Sequence, residues 1–282
     1  MYRTPLGNAL SNKHMDAAKI LIDNGADVNG SDYYNRPYLY LFKRDIEIMR
    51  MLLDHGADVY IMYGYSSVFT VLIGDGDEWL DTIKLFISYG IDINITDHGR
   101  TPIYTAIKHQ QINTLKLLLS YGADIDVGIC IIKDAPYSIN YESIKCLIEH
   151  GLSDDNIDRL LRNAFEHGYA HTIKLIMDKG IDIDRITSNG QTPMHLVRSD
   201  STIELLIQEG YDINATDNDG NTILHLAVKN RYYVPLLRSI LANGIDTNIT
   251  NNDGHTALKI ADNMGNKCAT VVLLDHEEDL LM

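Results

Sequence analysis

The chain has 282 residues, of which 45% are apolar, so it is long enough to bury a sizeable core. No run of 18 or more apolar residues occurs, and the segment after Met1 lacks the basic and apolar stretches of a secretory signal. The formal charge of −15 comes from 39 acidic and 24 basic residues without any cluster of Lys and Arg, which argues against nucleic acid as a partner.

The acidic excess has two interpretations. It would attract a basic surface on a partner protein, or it would simply keep the molecule soluble, which we favour because the acids are scattered along the chain. The three cysteines, Cys130, Cys146 and Cys268, lie far apart and form no C-x-x-C pair. This usage predicts a reducing compartment, and we expect the cytosol.

One pattern recurs along the chain: a leucine-rich helical run, then Gly, any residue, Asp, and Val or Ile. Its glycines stand 29 to 34 residues apart, at Gly25, Gly56, Gly90, Gly122, Gly151, Gly180, Gly210 and Gly244. The copy at Gly151 is weakened, because Ser153 replaces the aspartate. Each glycine follows an amphipathic run, and a positive φ there lets the chain reverse with the least strain.

A second pattern opens the first helix of each unit and reads T-P-I-Y, T-P-M-H or T-I-L-H. These copies begin at Thr101, Thr192 and Thr222, and Thr4-Pro5-Leu6 and Thr256-Ala257-Leu258 are further, shorter copies. The threonine hydroxyl can accept from the free N–H groups as an N-cap, and proline at the first helical position loses no hydrogen bond. In the second helix that follows Thr101, we expect Leu117 and Leu118 to lie in the most buried stripe.

Together these residues resemble the ankyrin-repeat family, whose unit of about 33 residues opens with T-P-L-H-x-A. The resemblance implies an all-α repeat solenoid of paired helices with β-hairpin fingers, forming one domain over 1–282. It also implies binding of another protein through the fingers and inner helices, with no shared enzymatic activity and no cofactor. We expect about nine repeats, at 1–30, 31–61, 62–95, 96–127, 128–155, 156–185, 186–215, 216–249 and 250–282.

The pattern is weakest over residues 127–165, where Ile129–Ile132 and Leu160–Phe165 occupy the positions of first helices without the T-P-L-H residues. This segment is either a bend or, as we favour, neutral drift in a tolerant array.

After residue 275 the chain is acidic, which predicts a polar cap. The Ile-, Asn-, Asp- and Tyr-rich composition resembles ankyrin proteins of large DNA viruses, including poxviruses, and of intracellular bacteria. Many poxvirus members carry a C-terminal F-box-like segment, and none is recognised here.

The residue patterns predict no catalytic or metal site. His195 and His225 stand in the fourth position of T-P-L-H, where the family resemblance implies a local hydrogen bond that ties one repeat to the next. Spacings typical of zinc ligands, phosphate loops or nucleophile elbows do not occur. The aspartates of G-x-D recur too regularly to form a catalytic pair, so we predict that the chain is not an enzyme.

The finger tips are not dictated by helix stacking, so unusual residues there need another explanation. The tips near the N-terminus are aromatic, whereas those at Asn189, Asn218 and Asn252 are polar or acidic. Exposed tyrosines offer a large contact area at a low rotamer cost, although they could instead pack against each other. Tyr34 stands where we align the turn glycine. The predicted protein-binding residues are Tyr33, Tyr34, Tyr40, Tyr63, Tyr65, His98 and Arg100, with Tyr40 placed one position beyond the T-P-L-H slot.

Two further predictions concern modification and role. Asn29 and Asn214 end stretches that resemble the Leu-x₅-Asp-[Val/Ile]-Asn pattern hydroxylated by an animal asparaginyl hydroxylase, although their side chains could serve only to stabilise a turn.

The chain is predicted to be a monomeric scaffold or adaptor, such as an effector that engages a protein of a host cytosol. The alternative is a regulatory or substrate-recruiting arm of a longer enzyme or of a ubiquitin-ligase adaptor.

Overall fold

The computed structural model describes residues 4–128, 140–229 and 234–279. The chain divides into two compact units, Met1–Leu152 and Ser153–Met282, here called the N-unit and the C-unit. The boundary between them falls inside the segment 127–165, where the repeat pattern is weakest. Each unit is built from pairs of short antiparallel helices, as the sequence predicts. A single continuous domain over 1–282 remains a prediction.

The N-unit pairs short first helices with second helices of nine residues. One finger forms a two-stranded antiparallel hairpin of β1 (Met62–Tyr63) and β2 (Ser66–Ser67). The predicted first helix at Ile129–Ile132, like Cys130, lies outside the described residues. The helices are α1 (Pro5–Ser11), α2 (Met15–Asp23), α3 (Tyr38–Leu41), α4 (Ile46–Asp54), α5 (Val68–Asp75), α6 (Leu80–Ser88), α7 (Pro102–Lys108), α8 (Ile112–Ser120), α9 (Ile125–Gly128) and α10 (Tyr141–Glu149).

The C-unit begins with a first helix of 14 residues that contains the predicted segment Leu160–Phe165. One later first helix is reduced to a single 3₁₀ turn, Pro193–Leu196, and another 3₁₀ turn spans Asp184–Ile186. The α-helices are α11 (Asp154–His167), α12 (Ala170–Asp178), α13 (Asp200–Gln208), α14 (Ile223–Val228), α15 (Val234–Ala242), α16 (Ala257–Asn263) and α17 (Lys267–Asp279).

The helix boundaries follow the two sequence patterns. Thr101 is the N-cap of α7: its hydroxyl accepts from the backbone N–H of Tyr104 at 3.2 Å, and Pro102 takes the first helical position. At the other end of the pair, Gly122 adopts a φ of 81° after α8. The glycines of all eight G-x-D copies have positive φ, which confirms the predicted chain reversals.

The core lies between the helix pairs. In α8 the buried stripe consists of Leu115, Leu118 and Leu119, spaced three and four residues apart on one face. Leu118 is fully buried, as predicted. Leu117 is only half-buried, because it lies about 160° around the helix from both Leu115 and Leu119. The predicted register therefore holds, but the prediction of full burial was wrong for Leu117.

Hydrogen bonds from side chains connect successive repeats. The side-chain oxygen of Asn29 accepts from the backbone N–H of Asp58 at 2.7 Å, and Asn214 does the same for Asp246 at 2.8 Å. The imidazole of His225 bridges Thr222 of its own helix and the carbonyl of His255 in the next finger. His195 makes the equivalent bonds, which confirms the structural role predicted for both histidines.

The exposed end of α17 combines acidic and apolar residues. Asp275, Glu278 and Asp279 are exposed, as a polar cap requires. Val271 and Leu274 are exposed as well, so the acids do not cover the whole outer face of the helix. Within the described ranges, no helix combines the length and apolar character needed to cross a membrane.

Candidate protein-binding surface

The first aromatic cluster lies at the tip of the finger 31–37. The side chains of Tyr33 and Tyr34 are 58% and 70% exposed, so they are available to a partner, as predicted. Their rings meet edge to face at 5.4 Å between centroids, and the guanidinium of Arg36 lies 5.4 Å from the Tyr34 centroid. The tip therefore presents one continuous aromatic surface with a cation at its side.

The turn that carries these tyrosines is held by Asp32. Its buried carboxylate accepts from the backbone N–H groups of Tyr34 and Arg36 and pairs with the Arg36 guanidinium at 2.6 Å. Burial alone would raise the pKa of Asp32, but these hydrogen bonds outweigh it and lower the pKa below its ordinary value. The tip is thus fixed in place by a charged carboxylate beneath it.

The prediction that Tyr34 replaces the turn glycine was wrong. The residue in the left-handed region is Asn35, with a φ of 56°, and its N–H bonds to the carbonyl of Asp32. Gly220 has the same role in the C-unit, where its N–H bonds to the carbonyl of Asp217. The sequence alignment was shifted by one residue, because asparagine tolerates this conformation and was not recognised in the glycine position.

The second cluster joins a finger to the neighbouring first helix. Tyr40 stacks on Tyr63 with ring centroids 4.2 Å apart, and both side chains are half-buried. These two tyrosines therefore pack against each other, which is the alternative that the sequence left open. Tyr40 is the third residue of α3, the position of His225 in α14, and not one position beyond it as predicted. It contacts the next finger by stacking where the histidine uses a hydrogen bond.

Trp79 completes this cluster and was missed by the sequence reasoning. The Nζ of Lys43 lies 4.3 Å from the Tyr40 centroid and 4.4 Å from that of Trp79, and it pairs with Asp75 at 2.5 Å. Trp79 lies between α5 and α6, whose first residues are 12 positions apart, whereas Lys43 lies between α3 and α4, whose first residues are only eight positions apart. The 34-residue interval between Gly56 and Gly90 was the available signal of this insertion.

The third cluster lies one repeat further on. The side chains of Tyr65 and His98 are exposed, and the Nε2 of His98 lies 2.7 Å from the carbonyl oxygen of Tyr65. Arg100 is also exposed, and its guanidinium lies 5.5 Å from the Tyr104 centroid. The seven predicted residues thus fall into three clusters on successive fingers of the N-unit. Tyr40 and Tyr63 are the members with reduced exposure.

The fingers of the C-unit are joined to each other. The backbone N–H of Asn218 donates to the carbonyl of Asn189 at 3.0 Å, and that of Asn252 donates to Asp219 at 2.9 Å. The side-chain amide of Asn252 adds a bond to the carbonyl of Asn218 at 2.9 Å. A Cβ atom added at Gly220 would lie only 2.9 Å from the backbone nitrogen of Asn252, so the fingers are in close contact.

His225 and Cys146 are two buried ionisable groups away from these clusters. Burial lowers the pKa of His225 and raises the pKa of the Cys146 thiol, which disfavours the charged form of each. Among the residues that the structure describes, no three His, Cys, Asp or Glu side chains are placed to hold a metal ion.

Paired helices, left-handed glycines after each pair and fingers between the pairs define a helical repeat protein. Sequence profiles of the family match four stretches: "Ankyrin repeat" at 1–30 and 189–218, "Ankyrin repeats (3 copies)" at 68–128, and "Ankyrin repeats (many copies)" at 206–261. The chain belongs to the ankyrin-repeat family. Repeats of this family generally mediate protein–protein interaction.

Three curated relatives share parts of the sequence. The ankyrin repeat domain-containing protein OPG023 of Cowpox virus is 26% identical over 64% of this chain and 29% of its own length. The ankyrin repeat protein OPG189 of Variola virus is 26% identical over 64% of this chain and 34% of its own length. The nuclear factor NF-kappa-B p105 subunit of Gallus gallus is 29% identical over 40% of this chain and 12% of its own. The chain thus spans about a third or less of these proteins.

Proposed function

We propose that this chain is a protein-binding adaptor whose N-unit engages one partner protein through the three aromatic clusters. The observation that carries this proposal is the exposure of Tyr34 and Tyr65, at 70% and 85%, on fingers held by hydrogen bonds beneath them. Large aromatic side chains that are exposed but held in place are the usual anchors of protein interfaces.

The contrast with the C-unit supports the choice of surface. There the finger tips bond to one another through Asn189, Asn218 and Asn252, so much of their polar capacity is already used within the chain. In the N-unit, among the described residues, no backbone–backbone hydrogen bond joins neighbouring fingers, although the side chains of Asp97 and His98 bond to the preceding finger. The side chains of Tyr33, Tyr34 and Tyr65 remain largely exposed and can contact a partner.

The setting that we propose is a host cytosol, with the chain acting as a monomeric effector. The similarity to poxvirus ankyrin proteins supports this setting. The net charge of −15 favours a partner whose surface is basic overall. A substrate-recruiting arm of a longer protein is the second candidate, because the relatives are about three times as long as the aligned part or longer.

Affinity capture with two matched variants tests the proposal. The first variant carries Tyr33→Ala, Tyr34→Ala and Tyr65→Ala. The second carries Tyr121→Ala and Tyr141→Ala, which remove exposed tyrosines away from the fingers. Quantitative mass spectrometry of captures from animal-cell lysate should find proteins retained by the wild-type chain and the second variant but lost by the first.

If every retained protein is equally abundant with the first variant, the fingers of the N-unit are not the binding surface. Circular dichroism of all three chains provides the control for folding. Loss of helical signal in the first variant alone would mean that its tyrosines are structural.

A further inference from the structure

A cleft of about 290 Å³ opens between α5 and α7, beside the third aromatic cluster. It is lined by residues of the first helices α5 and α7, and Tyr104 is one of them. The residues that matter for its chemistry are Gly74, Asp75, Asp97, Arg100, Tyr104 and Lys108. No role in helix pairing explains this set, since the buried residues of α7 are others on its opposite face, such as Ile103 and Ala106.

The two cations of this cleft, Arg100 and Lys108, precede and follow Tyr104 at equal spacing in the sequence. Arg100, Tyr104 and Lys108 are spaced four residues apart, which places Tyr104 and Lys108 on the same face of α7 with Arg100 just before its N-cap. The Arg100 guanidinium already lies over the Tyr104 ring. The side chains of Arg100 and Lys108 are both exposed and can therefore reach a bound group.

The acids of the cleft have partners elsewhere in the N-unit, Asp75 in an ion pair and Asp97 in hydrogen bonds. Asp75 pairs with Lys43, and a carboxylate oxygen of Asp97 accepts from the backbone N–H and hydroxyl of Ser67 at 2.8 and 3.0 Å. Among the described residues, neither Arg100 nor Lys108 forms an ion pair.

Gly74 lines the cleft from α5. It lies near the end of that helix without a positive φ, so the backbone conformation does not require glycine there. A Cβ atom at this position would lie 3.6 Å from Thr105 and 3.8 Å from His109, which is ordinary van der Waals contact with α7.

We propose that this cleft accepts the carboxylate of an Asp or Glu side chain from an extended segment of the partner protein. The carboxylate binds to the Arg100 guanidinium, which covers the Tyr104 ring, and to the Lys108 ammonium. Arginine recognises carboxylates with two parallel hydrogen bonds, and lysine adds a point charge. The inference rests on the proposed function, since the aromatic clusters supply the neighbouring contacts of the same segment.

Binding of this carboxylate would contribute more to selectivity among partners than to affinity. The acidic molecule repels acidic segments in general, so a carboxylate is accepted only where two cations are concentrated. A partner that is basic overall but carries one acid at this point would fit both the net charge and the cleft. Because Arg100 and Lys108 are exposed, the contribution of the anchor should weaken as salt is raised.

The test uses a displayed random dodecapeptide library, selected on the full chain and on two charge-matched variants. In the first, Arg100→Gln and Lys108→Gln remove the cleft cations. In the second, Lys19→Gln and Lys116→Gln remove two exposed cations from the second helices α2 and α8. Both variants lose the same charge, so a general electrostatic effect would appear equally in both.

We expect peptides with an acid at one fixed position to be enriched on the wild-type chain and on the second variant. The best of them, measured by fluorescence anisotropy, should bind the first variant at least about tenfold more weakly. Replacing its acid by Asn or Gln should cause a similar loss on the wild-type chain and little further loss on the first variant. Enriched peptides without a fixed acid, or equal binding to both variants, would overturn the inference.

A fourth chain, with Tyr33→Ala, Tyr34→Ala and Tyr65→Ala, separates this failure from failure of the proposed function. Peptides that lose affinity for this chain but show no acid preference leave the N-unit fingers as the binding surface and contradict only the carboxylate anchor. Peptides that bind all chains equally, or a library from which nothing is enriched, contradict both.

Discussion

The fingers of the N-unit and those of the C-unit are built on the same repeat but use their tips differently. In the C-unit, asparagines and closely packed glycines join three successive fingers into one hydrogen-bonded row. In the N-unit the tips carry tyrosines; Asp32 secures the turn of Tyr34 from within, and the side chains of Asp97 and His98 join the next two fingers. Finger positions that are not needed for cohesion between repeats are therefore free to serve recognition.

The largest expected effect concerns the core, where the two units should not differ. Leu118 in α8 and Leu206 in α13 are both fully buried. Leu118→Ala and Leu206→Ala should each lower the free energy of unfolding by about 2–5 kcal/mol, measured by urea denaturation. Leu117→Ala, at a half-buried position, should cost clearly less. An equal loss for Leu117 and Leu118 would contradict the helix register.

The next effect separates recognition from stability in the N-unit. Replacing Tyr33, Tyr34 or Tyr65 singly by Ala should weaken binding to a captured partner by about 1–4 kcal/mol and leave the unfolding midpoint nearly unchanged. Tyr63→Ala should instead reduce stability as well, because its stack on Tyr40 contributes about 0.5–1.5 kcal/mol. Isothermal titration calorimetry and thermal unfolding give the two values.

A substitution at a finger tip of the C-unit should affect stability and not partner binding. Asn252→Ala removes the side-chain bond to the carbonyl of Asn218, so stability should fall slightly while partner binding remains as in the wild type. If Asn252→Ala weakens binding as much as Tyr34→Ala, the division of roles between the two sets of fingers is incorrect.

Substitution of one glycine in each unit tests how closely neighbouring fingers approach each other. Gly64 and Gly220 have φ angles of 67° and 74°, but a Cβ atom at Gly64 would meet nothing within 4 Å, whereas at Gly220 it would lie 2.9 Å from a backbone nitrogen. Gly64→Ala should cost about 1 kcal/mol from backbone strain alone. Gly220→Ala should cost about 1–3 kcal/mol more from overpacking, and equal costs would argue against the close row in the C-unit.

A smaller effect depends on pH. The pKa of His225 is lowered mainly by burial, with Lys229 adding to the shift and the His255 carbonyl and Asp217 opposing it. The unfolded chain therefore binds a proton that the folded C-unit disfavours, so this contribution is fully present above about pH 6.5 and is lost as the pH falls below it. An NMR titration should place the pKa of His225 below 6.5, and a higher value would reverse the sign.

The smallest expected effect is a modification. Asn29 is exposed and Asn214 is half-buried, and both accept a backbone hydrogen bond from the next repeat. If the asparaginyl hydroxylase acts on this chain in co-expressing animal cells, the mass gain of one oxygen atom should be larger at Asn29, because its Cβ is easier to reach. No gain at either residue would leave both side chains with their structural role alone.

The repeat architecture was predictable because each glycine and each N-cap threonine acts locally. The positive φ of Gly122 and the cap of Thr101 follow from neighbouring residues alone. The turn at Asn35 was not recognised, because asparagine in the left-handed region has no unique sequence signal. Trp79 and Lys43 come together next to a short first helix, α3, and a longer first helix, α5, in neighbouring repeats, and that contact depends on three-dimensional packing.

The candidate site was predictable in position more than in detail. Exposed tyrosines at Tyr34 and Tyr65 follow from finger positions that helix stacking does not determine. The stack of Tyr40 on Tyr63 depends on how two repeats approach each other. The line from Arg100 to Lys108 can be read from helical spacing, but the opening beside Gly74 depends on the distance between α5 and α7.

Hydrogen–deuterium exchange of the full chain, with and without a captured partner, tests the central claim most directly. The account predicts that binding protects the fingers at residues 31–37, 61–67 and 97–100 and leaves the C-unit fingers at 188–191, 217–221 and 251–255 unchanged. Protection confined to the C-unit fingers, with the N-unit tips exchanging as in the free chain, would contradict it.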